Sequence, residues 1–279
     1  MTAAGERVVA VCADDVGLVD GVAETVAALA EAGRLNAASC VTTASGWRAA
    51  AAVLRVARAP LALGLHFNLS EGAPLTNELR ASWPAFPGLG RLLAAAALRS
   101  LPVAAIAAEF RAQVDAFADA LGRAPAFVDG HQHVHALPGV REAVLDAIAG
   151  WPVLPAVRST AHVCGPAAPL KRRVIEMSGG RALERALVAR GVAHNAVLLG
   201  AYDFATADYR GLFRRWLAVA PREGGLVFCH PGPATRGDPI GPARQREADY
   251  LGDGAFAADL EAAGVTIGPA WAKRSSSGG

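Results

Sequence analysis

Four short blocks of this chain combine carboxylates or imidazoles at spacings that could support chemistry. They are Ala13-Asp14-Asp15-Val16-Gly17, Gly64-Leu65-His66-Phe67-Asn68, Asp129-Gly130-His131-Gln132-His133-Val134-His135 and Phe228-Cys229-His230-Pro231-Gly232. Each block follows an apolar run typical of a buried strand, and the carboxyl ends of parallel strands meet on one face of an α/β protein. Paired carboxylates and several imidazoles on one face suit a divalent metal with an acid–base pair beside it. The blocks therefore predict metal-assisted hydrolysis.

The acidic pair Asp14-Asp15 supports two interpretations. Adjacent carboxylates after an apolar strand repel one another unless they share a cation or a proton. One of them could then bind a metal while its neighbour acts as a base. Alternatively, the pair caps the helix expected over residues 19–31, because negative charge is favourable at a helix N-terminus.

The third block is the most concentrated, because three of the seven histidines in the chain lie within five positions. If the strand continues through it, Asp129, His131, His133 and His135 share one face. If the strand ends near Gly130, the histidines fan around a loop. Either arrangement offers an imidazole ligand and a carboxylate that could orient it.

His66 and His230 each follow a predicted strand. A single histidine at such a position is more often structural than a ligand, so the assignment of His66 depends on the other blocks. His230 could donate a proton to a leaving amine, although Pro231-Gly232 could equally mark a simple turn. Cys229 alternates away from His230 and is expected to face the core.

Three charged residues outside the blocks are lesser candidates. Arg158 ends a predicted strand and could anchor a hydroxyl or carboxylate of a substrate. Arg244 and Glu247 are three positions apart on a predicted helix, so we expect them to form a surface ion pair.

The elements that must position these blocks alternate along the chain. Apolar runs predict strands at residues 8–13, 38–42, 61–65, 126–129, 153–158, 197–199, 225–229 and 265–267, with amphipathic helices between them. This alternation indicates right-handed βαβ units. We predict an α/β fold: a single (β/α) barrel-like domain over residues 1–272, related to the TIM barrel. An open doubly wound sheet is the alternative. Residues 70–90 are predicted to be an irregular insertion near the site, and residues 273–279 a flexible tail.

Composition excludes several other classes of protein. The 279 residues are 53% hydrophobic and 19% charged, which suits a large core. The net charge of +2, without a basic stripe, argues against a nucleic-acid partner. No apolar run approaches the roughly 20 residues that span a bilayer, and we find no secretory signal. Four widely spaced cysteines predict reduced thiols and a cytoplasmic location. A homodimer is the expected assembly, because it is the commonest one.

In this order, the blocks ADD, GLHFN, DGHQHVH and CHPG resemble those of the YdjC-like carbohydrate deacetylases. That family includes the chitooligosaccharide deacetylases and the hopanoid-associated deacetylases. The resemblance extends over residues 8 to about 267, and the combination of blocks is far more specific than any one of them. The chain departs from the family at Val16, where the family usually has phenylalanine. The resemblance implies a (β/α) barrel-like fold and a divalent metal held by one aspartate and two histidines.

Carried over block by block, the resemblance implies a role for each site residue. Asp15, His66 and His131 would be the metal ligands. Asp14 would be the general base and His230 the general acid. His131 is preferred to His133 as a ligand because it stands nearer the end of the strand. The remaining candidates, which would contact the substrate or support the ligands, are Asp129, His133, His135 and Arg158.

The implied activity is removal of the N-acetyl group from an N-acetylated amino sugar, in an oligosaccharide or glycoconjugate, with release of acetate. Mg²⁺ or Zn²⁺ is the favoured cofactor, with Mn²⁺ or Co²⁺ as alternatives. Two rival functions remain: a non-haem iron oxygenase, which also uses two histidines and one carboxylate, and a non-catalytic sugar-binding barrel. The doubled aspartate and the late histidine favour hydrolysis. Four aromatic residues could either stack on a sugar or belong to the core: Trp47, Phe67, Trp83 and Tyr202.

Overall fold

One parallel sheet organises the chain in a computed structural model, which describes residues 7–166 and 168–271. Its strands are β1 (Arg7–Val16), β2 (Ala37–Cys40), β3 (Ala62–Phe67), β4 (Phe127–Gly130), β5 (Ala156–Val157), β6 (Val197–Leu199), β7 (Gly225–Cys229) and β8 (Val265–Ile267). They run in the order β5-β4-β3-β2-β1-β7-β6, and β8 pairs with residues 7–9 of β1. Every pairing between these strands is parallel, as the alternation of strand and helix predicts.

Helices connect the strands and cover the outside of the sheet. Those in the described part of the chain are α1 (Val22–Glu31), α2 (Trp47–Val56), α3 (Asn77–Ser82), α4 (Leu89–Ala97), α5 (Val103–Leu121), α6 (Val140–Ile148), α7 (Pro169–Ile175), α8 (Arg181–Ala189), α9 (Tyr209–Val219), α10 (Gly241–Gly252) and α11 (Gly254–Ala263). A 3-10 turn over His131–Ala136 follows β4 directly, and we call it the histidine turn. The predicted bounds of β6, β7 and β8 agree with the structure.

The sheet curls until its two ends approach one another. Beyond β5, Val163 forms an isolated parallel bridge with Leu198 of β6. The Leu198 amide donates to the His162 carbonyl at 2.9 Å, and the Cys164 amide donates to the Leu198 carbonyl at 2.9 Å. The prediction of an α/β, barrel-like domain with parallel strands is therefore confirmed. All the strands present their carboxyl ends on the same face.

The interior of the curled sheet is packed with alternating small and large side chains. Ala10, Ala37 and Ala156 are buried together with the rings of Phe127 and Phe228. Because the alanines occupy little volume, the two rings fill the space between opposite strands. The larger core clusters lie between the sheet and the helices around it.

Two strands differ from their predicted lengths. The run at residues 153–158 contributes only Ala156–Val157, because Pro152 and Pro155 have no amide hydrogen to donate and Val153 is 81% exposed. Strand β1, in contrast, continues beyond the acidic pair to Val16. The two aspartates therefore lie within the end of β1.

The insertion at residues 70–90 is more regular than expected, since it contains α3 and the start of α4. It is attached to α5 by the buried carboxylate of Glu109. That carboxylate accepts hydrogen bonds from the amides of Leu75 and Thr76 and from the Thr76 hydroxyl, at 2.9–3.0 Å. A buried carboxylate with this many donors fixes the path of the loop that precedes α3.

Several other predictions concern the chain as a whole. The tail predicted at residues 273–279 lies outside the described residues, and the domain boundary at 272 stays a prediction. Among the described helices, none is long and apolar enough to cross a lipid bilayer. All four cysteines fall in the described part of the chain and carry free thiols.

Replacing Gly64 of β3 with alanine should destabilise the fold. A Cβ at this position would lie 2.4–2.5 Å from three atoms of the Phe127 ring, which is itself fully buried. Overpacking of this kind costs about 1–3 kcal/mol of the free energy of unfolding. Gly90 on α4 is the matched control, because an alanine Cβ there meets nothing within 4 Å. Urea unfolding should show a loss for Gly64→Ala and no loss for Gly90→Ala; equal stability of the two variants would contradict this packing.

Candidate metal centre

Asp15 is turned towards the interior by a left-handed backbone conformation at the end of β1. Its φ is 65°, and the pairing of β1 with β2 shifts register between Ala13 and Val16. Neighbouring residues of a regular strand point to opposite faces, but here both Asp14 and Asp15 line the same cavity. Left-handed φ is costly for a residue other than glycine and is often found at functional sites. The alternative role as a helix cap is excluded, because the N-cap of α1 is Gly21.

Asp15, His66 and His131 bring three donor atoms together at the carboxyl ends of β1, β3 and β4. Asp15 Oδ1 lies 2.9 Å from His131 Nδ1 and 3.5 Å from His66 Nε2. Donor atoms around one ion with bonds of about 2.0–2.1 Å are separated by roughly 3–3.5 Å. All three residues are buried, and one carboxylate with two imidazoles is a common donor set for a divalent ion. The residues predicted as ligands therefore fit a metal at this place.

His66 is oriented by Asp129 on the neighbouring strand. Asp129 Oδ1 lies 2.7 Å from His66 Nδ1 and also accepts a hydrogen bond from the Ser39 hydroxyl. A carboxylate on one ring nitrogen fixes the tautomer and directs the other nitrogen, here Nε2, towards Asp15. Asp129 therefore supports a ligand.

The pKa values in this centre show that it favours positive charge. Burial lowers the pKa of His66, but the charges of Asp129 and Asp14 outweigh burial and raise it to about 10. Burial likewise opposes protonation of His131, but Asp15 raises its pKa to about 9. Burial would raise the pKa of Asp15, yet the charge and hydrogen bond of His131 hold it well below its usual range. A site that retains protons on imidazoles beside a carboxylate also favours a metal cation.

A second group of residues could hold a metal by type: Cys12, Asp14 and Asp129. The guanidinium of Arg158 lies among them and takes the place that a metal would occupy. Arg158 is fully buried, and its Nη2 lies 2.6 Å from Asp14 Oδ1 and 2.5 Å from Asp129 Oδ2. Its Nη1 donates to Asp14 Oδ2 at 2.6 Å, so the pair with Asp14 is bidentate. Arg158 is predicted to contact the substrate or to support the ligands, and its guanidinium binds these two carboxylates inside the protein, which fits the supporting role. Arg158 therefore fixes the positions of Asp14 and Asp129 from the interior of the protein.

The histidine turn separates the three imidazoles of the third block. Strand β4 ends at Gly130, and Gln132 and His133 adopt left-handed φ values of 52° and 62°, so the histidines fan out. His131 reaches Asp15, whereas the His133 ring packs edge-on against Phe228 at 5.4 Å.

His135 points away from the metal centre and supports the backbone near Arg158. Its Nε2 donates to the Arg158 carbonyl at 2.9 Å. Burial lowers the pKa of His135 to about 4, so the ring is neutral at ordinary pH. Gly130 permits this close packing, because a Cβ there would lie 2.8 Å from the His135 amide nitrogen.

The prediction that Arg244 and Glu247 form a surface ion pair is wrong, because both side chains are buried. Arg244 Nη2 donates to Asp15 Oδ2 at 2.8 Å, and its Nε donates to Asp238 at 2.7 Å. Glu247 accepts hydrogen bonds from the Tyr202 hydroxyl at 2.5 Å and from the backbone amide of His230. Helix α10 turns this face inward.

A sequence signal for their burial exists within α10. Arg244 and Glu247 lie in helical register with Ala243, Tyr250 and Leu251, which are buried on the same face of α10.

His230 directly follows β7 and borders the cavity with Asp14 and Asp15. Its ring packs edge-on against Phe204 at 5.2 Å and Phe228 at 5.7 Å. The hydrogen bond from its amide to Glu247 holds its backbone in place. The neighbouring thiol of Cys229 is buried in the core, as expected from the alternation of the strand.

The cavity in front of the centre has a volume of about 1030 Å³. Its aromatic lining comes from Phe204 and Phe228. The four aromatic residues considered for sugar stacking pack elsewhere: Trp47, Phe67 and Tyr202 are buried in the core clusters, and Trp83 packs against one of them.

Comparisons with known proteins agree on the family and the fold. A family model described as YdjC-like protein matches residues 8–262. The chain is 32% identical over 171 residues to the carbohydrate deacetylase of Mus musculus, covering 58% of this chain and 54% of the mouse protein. It is 28% identical over 236 residues to the chitooligosaccharide deacetylase of Klebsiella pneumoniae, covering 81% and 82% of the two chains. The chain thus spans about half the length of the mouse relative.

A solved structure shares the fold. It is a protein of Enterococcus faecalis that is provisionally described as a cellobiose-phosphate cleavage protein, with a TM-score of 0.74 and 17% identity. The superposition covers 95% of this chain and 98% of that one.

The burial of Glu247 should make stability depend on pH. Burial raises its pKa from 4.5 to about 7, so the folded state keeps a proton that the unfolded state has lost in this range. Relative to Glu247→Gln, the wild-type free energy of unfolding should fall as the pH rises from 4.5 to about 7, and then level off. The expected total change is roughly 2–4 kcal/mol. Urea unfolding of both proteins across this range measures it, and parallel curves would contradict the raised pKa.

Proposed function

Because the chain belongs to the YdjC-like protein family, we propose that it is a metal-dependent hydrolase that removes the N-acetyl group from an N-acetylated amino sugar. The observation that carries this proposal is the convergence of Asp15, His66 and His131 in a cavity that Asp14 and His230 also line. Carbohydrate deacetylases among the relatives support the choice of reaction. The substrate is a small-molecule oligosaccharide or glycoconjugate, and the products are acetate and the free amine.

Asp15, His66 and His131 would hold the divalent ion. When bound, such an ion polarises the acetamide carbonyl and lowers the pKa of water. Asp14 is proposed as the general base that accepts a proton from the attacking water. Both of its oxygens are bound by Arg158, so the carboxylate is held in one orientation at the edge of the cavity.

His230 is the proposed general acid, which donates a proton to the nitrogen of the departing amino sugar. Glu247 fixes the backbone at the end of β7, and Phe204 and Phe228 restrict the imidazole ring. A proton donor held in place in this way is ready to act when the C–N bond breaks. Asp129 supports His66, His133 borders the cavity, and His135 supports the backbone at Arg158.

The nature of the metal, the cellular location and the assembly are also proposals. Carboxylate and imidazole donors suit Mg²⁺ or Zn²⁺, and Mn²⁺ or Co²⁺ as alternatives. The free thiols support a cytoplasmic location, and a homodimer is the expected assembly. No role for nucleic acid is proposed, because the net charge is only +2.

Two rival functions account for fewer of these residues. An iron oxygenase would also need two histidines and one carboxylate, but it gives no role to the Asp14–Arg158 pair or to His230. A non-catalytic sugar-binding barrel needs neither the three ligands nor the acid–base pair. Oxygen consumption would support the first rival, and sugar binding without acetate release would support the second.

The proposed reaction is tested by acetate release from a panel of N-acetylglucosamine compounds, with metal-loaded protein in the presence and absence of a chelator. We expect acetate release that the chelator abolishes and that added metal restores. Metal-loaded protein that releases no acetate from any compound would contradict the proposal.

Replacing Asp14 with asparagine should lower kcat by about 10²–10⁴-fold, because an amide cannot accept the proton. Metal affinity, measured by calorimetry, should change far less than kcat, since Asp14 is bound to Arg158 rather than grouped with the ligands. Asp146→Asn is the matched control, because Asp146 is exposed and pairs only with Arg190 among the ion pairs of the described residues. Full activity of Asp14→Asn would remove the base assignment.

A further inference from the structure

We propose that Glu71 is a positioning residue for the metal ligand His131, to which it presents a carboxylate as Asp129 does to His66. Sequence patterns did not single out Glu71, which lies at the start of the insertion and lines the cavity. The proposal rests on the metal site of the proposed function, but its test does not depend on turnover.

The two imidazoles have matching surroundings. His131 Nδ1 lies 2.9 Å from Asp15 Oδ1, and its Nε2 lies 3.1 Å from Glu71 Oε1. His66 Nε2 lies 3.5 Å from the same oxygen of Asp15, and its Nδ1 lies 2.7 Å from Asp129 Oδ1. Each ring thus directs one nitrogen to Asp15 and the other to a further carboxylate. An imidazole that binds a metal through one nitrogen is oriented by the acceptor that receives the N–H of the other.

The backbone of Glu71 is held by Asn68, from the same block as His66. Asn68 Oδ1 accepts the amides of Ser70 and Glu71 at 3.1 and 3.2 Å. Asn68 Nδ2 donates to the Glu71 carbonyl at 2.7 Å and to the Thr43 hydroxyl at 2.8 Å. Strand β3 therefore carries one ligand, His66, and positions Glu71 through the buried side-chain amide of Asn68, the residue that follows Phe67 at the end of the strand.

Helix α5 connects the segment from Asn68 to Glu71 with the rest of the insertion. Gln113 exchanges hydrogen bonds with the backbone of Asn68, accepting its amide at 3.0 Å and donating to its carbonyl at 2.9 Å. Gln113 also donates to Glu109, whose carboxylate holds the amides of Leu75 and Thr76. The short loop that carries Glu71 is thus fixed at both ends.

Glu71 can be replaced without leaving a buried charge unpaired. Its side chain is 47% exposed, whereas that of Asp129 is fully buried against Arg158. Removal of Asp129 would leave the Arg158 guanidinium partly uncompensated and would endanger the fold. Glu71 therefore offers a test of ligand positioning that is separate from folding.

The test compares Glu71→Ala, Glu71→Gln and the wild-type protein by calorimetric titration of the metal-free protein with Zn²⁺ and Co²⁺. We expect Glu71→Ala to weaken binding by about 10–100-fold and to change the visible spectrum of bound Co²⁺. Glu71→Gln should restore most of the affinity, because its amide oxygen takes the place of the carboxylate oxygen that lies 3.1 Å from His131 Nε2. Glu78→Ala is the control, since Glu78 is exposed on α3 within the same insertion. All four metal-free proteins should unfold at similar temperatures.

Three results would overturn the proposal. Wild-type affinity in Glu71→Ala would show that Glu71 does not position His131. Equal weakening in Glu71→Ala and Glu71→Gln would show that the charge of Glu71 matters, as for a direct ligand. Failure of the wild-type protein to bind either metal would remove the metal site and this proposal together. Tight metal binding without acetate release would instead contradict only the proposed function, because the role of Glu71 has its own readout.

Discussion

The structure depends on how three buried carboxylates at the mouth of the barrel are neutralised. Asp14, Asp15 and Asp129 are almost completely buried, and isolated charges in such surroundings are strongly unfavourable. Arg158 binds both Asp14 and Asp129, while Arg244 binds one oxygen of Asp15. The other oxygen of Asp15 faces two imidazoles. A cation at this point, whether proton or metal, is therefore part of the electrostatic balance that keeps the barrel mouth folded.

The barrel supplies this arrangement through its parallel strands. Strands β3 and β4 are neighbours and only β2 separates β3 from β1, so the carboxyl ends of these strands lie on one face and bring together residues that are distant in sequence. The left-handed turn at Asp15 then breaks the alternation of β1 and brings a second aspartate to the same cavity. Arg158 directly follows the very short strand β5, and its side chain extends across the barrel to Asp14 on β1.

Much of the fold follows from sequence patterns alone. Polar blocks at strand ends predicted that the aspartate pair and the histidines converge, because parallel strands present their carboxyl ends on one face. The family resemblance then singled out Asp15, His66 and His131 as the ligands. The roles of Arg244, Glu247 and Glu71 were not predictable in this way. A charged residue on a helix or in a loop resembles a surface residue until tertiary packing turns it inward. The left-handed backbone of Asp15 has no local signature either, since it depends on the register of β1 against β2.

The most direct test of the account is the position of the bound metal. Crystals grown with Mn²⁺ or Zn²⁺ and measured at the absorption edge should show one anomalous peak between the Asp15 carboxylate and one nitrogen each of His66 and His131. Asp14 should remain bound to Arg158 in the same crystals. An anomalous peak among Cys12, Asp14 and Asp129, or none near Asp15 at saturating metal, would contradict the central claim.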